Sequence, residues 1–293
     1  MRKQFVSTVE ELIEKDNRLV LLLGDIGVYG FRRSFEKYPD RVYNIGILEQ
    51  STVSVAAGLA LVGLIPIVHT IAPFLVERSY EQLKIDLCYQ KLGANLVSVG
   101  ASYDYAALGS THHCPGDVGI LKKLPNMEIV LPGNSREFDV LFKQCYANCN
   151  PTYYRLSEKE NETNVDITFG KANVLKQGSK ATVITVSNTL DTVLEACKEL
   201  DVTILYYTTI SPFDYETLNK NCSSRKIIVI EPFYYGELTT DIILATKPHH
   251  VSIDYIGVPH EFLMKYGTLD QHDMNLGFNI ENIRGKVLEV ISG

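Results

Sequence analysis

Hydrophobic and polar positions in the first half of the chain alternate between two spacings. The helical spacing comes first, at Phe5, Val9, Leu12 and Ile13. A continuous apolar run from Leu19 to Leu23 follows and predicts a buried strand that ends at Gly24-Asp25. The order then recurs, with predicted helices over 49–63, 78–91 and 135–148 and predicted strands over 65–70, 96–99 and 151–156. Strands separated by helices favour a mostly parallel sheet covered on both faces.

The pattern is interrupted at 157–164, a polar run without apolar anchors that we interpret as an interdomain connection. The second half then repeats the alternation of strands and helices, with predicted strands over 183–186, 202–206 and 227–230 and a predicted helix over 190–200. A terminal helix is predicted from Ile280, Ile283, Val287 and Val290. We therefore predict an α/β fold of two doubly wound domains, over residues 1–162 and 163–293.

Composition narrows the class of protein. The chain has 293 residues, of which 45% are hydrophobic and 22% charged, which is typical of a globular protein with ample core. Its net charge of -7 provides no general attraction to nucleic acid or to an anionic membrane. The longest apolar stretch, 53–68, is too short and too interrupted for a membrane span, which needs about 20 residues. The amino terminus lacks a secretory pattern and six dispersed cysteines form no CxxC pair, so we expect a cytoplasmic protein.

The most informative segment is 41–50, where a predicted strand leads through Gly46 to Glu49 at the start of a helix. Small residues in that helix, Ala56, Ala57, Gly58 and Ala60, allow close backbone packing. Taken alone, a glutamate in this place has two interpretations. It is either a functional buried carboxylate or a helix-opening residue that merely suits the helix dipole.

The segment resembles the N-x-G-I-x-E-Q stretch in the pyrimidine-binding domain of transketolases and deoxyxylulose-phosphate synthases, which use thiamine diphosphate. Other motifs recur in family order: Gly24-Asp25-Ile26-Gly27, Arg78-Ser79-Tyr80-Glu81-Gln82, Gly109-Ser110-Thr111-His112, Leu124-Pro125-Asn126-Met127 and Gly257-Val258-Pro259-His260-Glu261-Phe262. The resemblance covers almost the whole chain. It implies a transketolase pyrimidine-binding domain followed by the family's C-terminal domain.

The resemblance implies roles for residues near the cofactor. Glu49 matches the glutamate that contacts N1' of the aminopyrimidine and promotes its imino tautomer. Phe74 matches an aromatic residue that packs around the same ring, Ile71 replaces a second family aromatic, and Arg78 lies in a matching motif, so all three are expected to bind the cofactor. A purely structural core position is the alternative for Phe74.

The resemblance also implies substrate contacts. Arg2 and Arg155 match arginines that bind the substrate phosphate, for which a guanidinium is well suited. His112 matches the histidine of the family's G-x-T-H turn, near the donor hydroxyls, and is expected to take part in catalysis. A surface ion pair is the alternative for either arginine.

Two departures from the family indicate a changed substrate. Gly100 or Ser102 replaces an upstream histidine, and Leu108 replaces an aspartate that recognises a hydroxyl of the acceptor aldose. Leucine cannot accept that hydrogen bond, and an unpaired buried hydroxyl costs about 1 to 3 kcal/mol. The substitution therefore favours an acceptor that is deoxygenated or otherwise modified there. Matched acceptors with and without a C2 hydroxyl test this hypothesis.

The family's diphosphate site is missing from the sequence. In a full transketolase a preceding domain binds diphosphate through Mg2+, using Gly-Asp-Gly and a later Asn, and Gly24-Asp25-Ile26 is not that motif. The resemblance therefore implies a split enzyme whose N-terminal partner subunit holds Mg2+, as an α2β2 assembly acting on sugars or sugar phosphates. We predict no metal site in this chain, because His112-His113-Cys114 with Asp117 fits no zinc pattern.

Two other functions remain open at this point. One is the beta subunit of a 2-oxoacid dehydrogenase E1, which shares the two-domain layout but needs no sugar-phosphate arginines. The other is a non-catalytic subunit that only stabilises its partner. Glu49 and the G-x-T-H turn favour the transketolase subunit, which transfers a two-carbon ketol unit from a ketose donor to an aldehyde acceptor.

Overall fold

The computed structural model describes residues 1–293 and contains two separate β-sheets. The first sheet has seven strands in the order β10-β5-β6-β4-β3-β1-β2. Their bounds are β1 (Leu19–Leu23), β2 (Val42–Asn44), β3 (Ile65–Ile71), β4 (Ala94–Val99), β5 (Glu128–Val130), β6 (Pro151–Arg155) and β10 (Thr209–Ser211). All neighbours are parallel except β10, which pairs antiparallel with β5.

Helices cover both faces of this sheet. They are α1 (Arg2–Lys15), α2 (Arg32–Lys37), α3 (Glu49–Leu61), α4 (Tyr80–Gln82), α5 (Asp117–Leu121) and α6 (Ser135–Cys145). Side chains of a strand alternate between faces, so Leu21 packs in the cluster that contains α1 and α6, whereas Leu22 packs with α3. This two-sided burial explains why β1 is apolar at all five positions.

The second sheet has five strands in the order β12-β11-β8-β9-β7. Their bounds are β7 (Ala172–Lys176), β8 (Ala181–Val186), β9 (Val202–Tyr207), β11 (Lys226–Tyr234) and β12 (Ser252–Val258), and only β7 is antiparallel. Its helices are α7 (Leu190–Ala196), α8 (Tyr215–Asn221), α9 (Thr239–Thr246), α10 (Leu269–Leu276) and α11 (Ile280–Ser292). The predicted α/β architecture of two mostly parallel sheets is confirmed.

Several predicted elements differ in detail. The predicted helix over 78–91 is part of a longer helical segment that begins with π-helical turns at Phe74–Arg78 and contains more at Leu83–Tyr89. Asn134 caps α6, since its side chain accepts a hydrogen bond from the Glu137 amide at 3.0 Å. The helix predicted over 135–148 ends at Cys145.

The two halves of the chain share a sheet and hydrogen bonds, and are not joined by the connecting segment alone. Strand β10 comes from the second half but completes the first sheet. Within the polar run 157–164, Asn161 is buried and donates a hydrogen bond to the Ser187 carbonyl at 2.8 Å. None of the helices has the combination of length and apolar character that crossing a bilayer requires.

Candidate active site

The candidate residues lie mostly at the carboxyl edge of the first sheet. Parallel strands end at the same edge, and the segments that follow β1, β2, β3 and β4 carry the motifs near Gly24, Glu49, Phe74 and His112. This edge is where open α/β sheets bind ligands. The topology therefore gathers residues that are far apart in the sequence.

Glu49 is the first residue of α3 and is almost completely buried. Gly46, with φ of +84°, makes the turn between β2 and this helix, and its amide donates to the Asn44 side chain at 3.1 Å. The Glu49 Oε2 atom accepts a hydrogen bond from Arg78 Nη1 at 2.8 Å. The other oxygen, Oε1, is buried without any hydrogen-bond partner. A buried carboxylate oxygen left unpaired is costly, so Oε1 is available to a hydrogen-bond donor from a ligand.

The π-helical turns at Phe74–Arg78 place two of the predicted cofactor residues together. The Arg78 guanidinium lies 4.2 Å from the centre of the Phe74 ring while it pairs with Glu49. Phe74 is half-buried, and Ile71 is buried at the end of β3. Such π-turns are frequent at functional sites. The structure thus gathers an acidic side chain, a cation and an apolar surface.

His112 extends this group through its contact with Phe74. It follows a short 3-10 turn at Gly109–Thr111, and its ring lies edge-on to Phe74 with 5.4 Å between centroids. Its Nδ1 atom is 2.9 Å from the Thr111 hydroxyl. On its other side the ring of Tyr105 lies at 6.0 Å, again edge-on. We call Glu49, Arg78, Phe74, His112 and Tyr105 the open row.

Arg2 lies exposed at the start of α1, between two clefts. One cleft of about 410 Å3 is lined by Arg2, Lys3 and Tyr105, so it adjoins the His112 end of the open row. The other, of about 590 Å3, is lined by Arg2 and by His69. Burial lowers the pKa of His69 to about 4, so this histidine is neutral near pH 7. Leu108 is 49% exposed on the loop that carries His112.

Arg155 is placed differently from the prediction. Its side chain is fully buried at the end of β6, where Nε donates to Asp117 Oδ2 at 2.7 Å and Nη2 donates to the Pro232 carbonyl at 3.1 Å. Tyr153 donates to the same carboxylate oxygen at 2.8 Å. The guanidinium has no exposed surface, two of its nitrogens pair within the chain and Nη1 is buried without a partner, so the structure does not bring it to a substrate phosphate. Arg155 instead joins the two halves of the chain.

Ser102 also lies apart from the open row. It is buried with φ of +53°, forms an isolated β-bridge with Cys114, and lines a small interdomain cavity with Asp104 and Arg155. Burial raises the pKa of Asp104 to about 7, and the nearby Arg155 charge opposes this shift. The structure therefore does not support a substrate contact for Ser102. We call Arg155, Asp117, Tyr153, Asp104 and Ser102 the closed cluster.

Two features of this edge were not predicted. Tyr105 was not among the candidate residues, although it lines a cleft beside His112. The Arg78–Glu49 contact was not predicted either, because 29 residues separate the partners and no local pattern joins them.

Comparison with known proteins identifies the class. Residues 1–163 match the transketolase pyrimidine-binding domain, and residues 170–283 match the transketolase C-terminal domain. The chain therefore belongs to the transketolase family. The prediction that it comprises the pyrimidine-binding and C-terminal domains of a thiamine diphosphate-dependent transketolase is confirmed.

Individual relatives extend along nearly the whole chain. It is 35% identical to an uncharacterized 33.6 kDa protein in the fasciation locus of Rhodococcoides fascians, covering 97% of this chain and 92% of that protein. It is 30% identical to an apulose-4-phosphate transketolase subunit from Phocaeicola vulgatus, covering 99% and 97%. A solved structure described as a split gene transketolase, inactive beta4 tetramer, superposes with a TM-score of 0.87 at 22% identity over 99% of this chain and 97% of the other.

Proposed function

We propose that this chain is the cofactor-activating subunit of a two-subunit transketolase, which transfers a two-carbon ketol unit from a ketose phosphate to an aldehyde acceptor. The observation that carries the proposal is the unpaired, buried Oε1 atom of Glu49 beside an aromatic ring and an arginine. The residues fit an aminopyrimidine, since a carboxyl can share a proton with a ring nitrogen while apolar side chains cover the ring faces. Thiamine diphosphate, when bound, supplies the carbon nucleophile that carries the two-carbon unit.

This chain's own residues then have distinct tasks. Glu49 holds a proton at Oε1 for the pyrimidine nitrogen, and Arg78 keeps the carboxyl in place through Oε2. Phe74 and Ile71 exclude water from the ring, which strengthens electrostatic interactions there. His112 orients hydroxyl groups of the sugar, and Arg2 attracts its phosphate at the cleft.

A partner subunit completes the site in this proposal. It holds Mg2+ and the diphosphate, in an α2β2 assembly, as the N-terminal domain of a full transketolase would. The exposed apolar side chains of Ile47 and Leu48, directly before Glu49, support a covering partner. The relative from Phocaeicola vulgatus, which is itself one subunit of a transketolase, supports the same arrangement. The six free cysteines further support a cytoplasmic location.

The substrate in this proposal is a modified sugar. Leu108 presents an apolar surface where the family has an aspartate. The relative from Phocaeicola vulgatus belongs to a transketolase for apulose 4-phosphate, and it supports an acceptor or donor outside the ordinary pentose phosphates.

The decisive experiment is Glu49→Gln in the complex with the partner subunit, the chain that carries Gly-Asp-Gly and the downstream Asn. Ketol transfer should fall by about 1000-fold, as expected for loss of a positioned proton donor, while assembly measured by light scattering is unchanged. Glu281→Gln is the matched control, because Glu281 also lies in the first turn of a helix but is exposed. Full ketol transfer by Glu49→Gln would reject the role of Glu49, as a non-catalytic subunit predicts. Oxidative decarboxylation without ketol transfer in the wild-type complex would show the dehydrogenase class.

A further inference from the structure

The loop between β4 and His112 is built around one ring. Gly100 directly follows β4 and has φ of +77°, a conformation that favours glycine. A Cβ atom at this position would lie 2.6 Å from Cδ2 of Tyr105, which is far inside van der Waals contact. The same Cβ would lie 3.4 Å from Ile71 Cγ2. Gly100 is therefore the position that makes room for the Tyr105 ring against Ile71.

The hydroxyl of Tyr105 is free for a ligand. The ring is half-buried, and the hydroxyl forms no hydrogen bond within the chain. Tyr105 lines the cleft of about 410 Å3 together with Arg2, Lys3, Ser135 and Glu158. Burial raises the pKa of Tyr105, so its phenol stays protonated near pH 7 and can donate.

Tyr105 also lies at an intermediate position in the site. His112 is its neighbour, and Phe74 is in turn the neighbour of His112, while Arg2 lines the same cleft as Tyr105. A sugar phosphate whose reacting carbon is at the Glu49 end and whose phosphate is at Arg2 would occupy the cleft that Tyr105 lines. The residue is thus placed beside the middle of the substrate chain.

Resting on the proposed function, we propose that Tyr105 is a specificity-determining residue whose hydroxyl donates a hydrogen bond to the phosphate-proximal half of the sugar, and that Gly100 serves to position it. Substrates of two or three carbons do not reach this hydroxyl. Tyr105 therefore selects for longer phosphorylated sugars without affecting the reacting carbon.

The test compares a long and a short acceptor in the complete two-subunit enzyme. With hydroxypyruvate as the short donor, Tyr105→Phe should raise KM for ribose 5-phosphate about tenfold, the effect of one hydrogen bond, and change kcat by less than about twofold. Turnover with glycolaldehyde, a two-carbon acceptor, should be unchanged. Tyr215→Phe is the control, since it removes a tyrosine hydroxyl in the second half that bonds to Asp241.

Gly100→Ala provides an independent measurement. It should raise KM for ribose 5-phosphate at least as much as Tyr105→Phe, because the new methyl displaces the ring. In a Tyr105→Ala background, Gly100→Ala should raise KM for ribose 5-phosphate by less than a further factor of about two. Equal losses in both backgrounds would overturn the positioning role.

The outcomes separate this inference from the proposed function. If Tyr105→Phe raised KM equally for both acceptors, or for neither, the role of Tyr105 would be overturned. The proposed ketol transfer would be unaffected by that result. Absence of ketol transfer by the wild-type complex with glycolaldehyde, ribose 5-phosphate and 2-deoxyribose 5-phosphate alike would overturn the proposed function, and the role of Tyr105 with it.

Discussion

Two arginine–carboxylate pairs at the carboxyl edge of the first sheet differ in what surrounds them. In the open row, Arg78 pairs with Glu49 at 2.8 Å, and the arginine side chain is 38% exposed. In the closed cluster, Arg155 pairs with Asp117 at 2.7 Å, and both side chains are completely buried. The distances are nearly equal, so distance does not distinguish the pairs.

Accessibility distinguishes them. Glu49 keeps one buried oxygen unpaired beside a partly exposed arginine and aromatic ring, so a ligand can complete its hydrogen bonding. Asp117 instead has Arg155 and Tyr153 on one oxygen and the Val118 amide at 2.9 Å on the other. The first pair is therefore partly open to a ligand, whereas the second is closed off inside the fold. The comparison teaches that an arginine matched to a family position has a functional role only if its guanidinium can be reached.

The largest expected effect is on the closed cluster. Asp117→Ala removes the partner of a fully buried guanidinium, and breaking such a pair costs about 3 to 5 kcal/mol. The free energy of unfolding, measured with urea on the full chain, should fall by that amount. Asp166→Ala is the matched control, because it breaks an ion pair with Arg136 that is exposed, and it should cost less than about 1 kcal/mol. A similar loss in both variants would contradict the distinction.

The second prediction concerns the pH dependence of stability. The raised pKa of Asp104, about 7 in the fold, means that the folded state binds the proton more tightly than the unfolded chain. The contribution to stability is complete below about pH 4 and is lost as pH rises to about 7, up to about 4 kcal/mol. Asp104→Asn should therefore flatten the loss of stability between pH 4 and 7. Exposed Asp40→Asn should leave the slope unchanged, and equal slopes for wild type and Asp104→Asn would refute the assignment.

The third prediction tests the open pair. Arg78→Met keeps an apolar stem over Phe74 but removes the donor to Glu49. Thiamine diphosphate affinity of the two-subunit complex, measured by titration calorimetry, should fall about tenfold, because the carboxyl loses the contact that orients it. The unfolding free energy should change by less than in Asp117→Ala. Arg136→Met, which disrupts an exposed pair, is the control, and unchanged affinity in Arg78→Met would remove Arg78 from the site.

The smallest expected effect is on acceptor choice. Leu108→Asp should shift the kcat/KM ratio of ribose 5-phosphate to 2-deoxyribose 5-phosphate toward the hydroxylated sugar by about fivefold, since the carboxylate accepts the C2 hydroxyl. Leu244→Asp, a similarly exposed leucine on α9, is the control. An unchanged ratio would place the acceptor's C2 elsewhere.

Local patterns predicted the elements that depend on local order. The apolar run of β1 and the helical spacing of α1 and α11 predicted those elements correctly. A strand buried on both faces is apolar throughout, and a helix buried on one face has apolar residues at helical spacing. The π-turns at Phe74–Arg78 have no distinguishing sequence pattern, since their residues suit an ordinary helix equally well. Strand β10 was not predicted because its three residues join a sheet formed by the other half of the chain.

By itself, the sequence determined the α/β class and the transketolase resemblance and singled out Glu49 as a candidate, since these depend on periodicity and on motifs whose residues are close along the chain. Only the tertiary structure decided which matched residues can meet a ligand. Arg2 and Arg155 match the family equally well, yet one is exposed at a cleft and the other is fully buried. Burial and pairing arise from strands and loops far apart in the chain, such as β6 and the helix that begins at Asp117, so no local pattern records them.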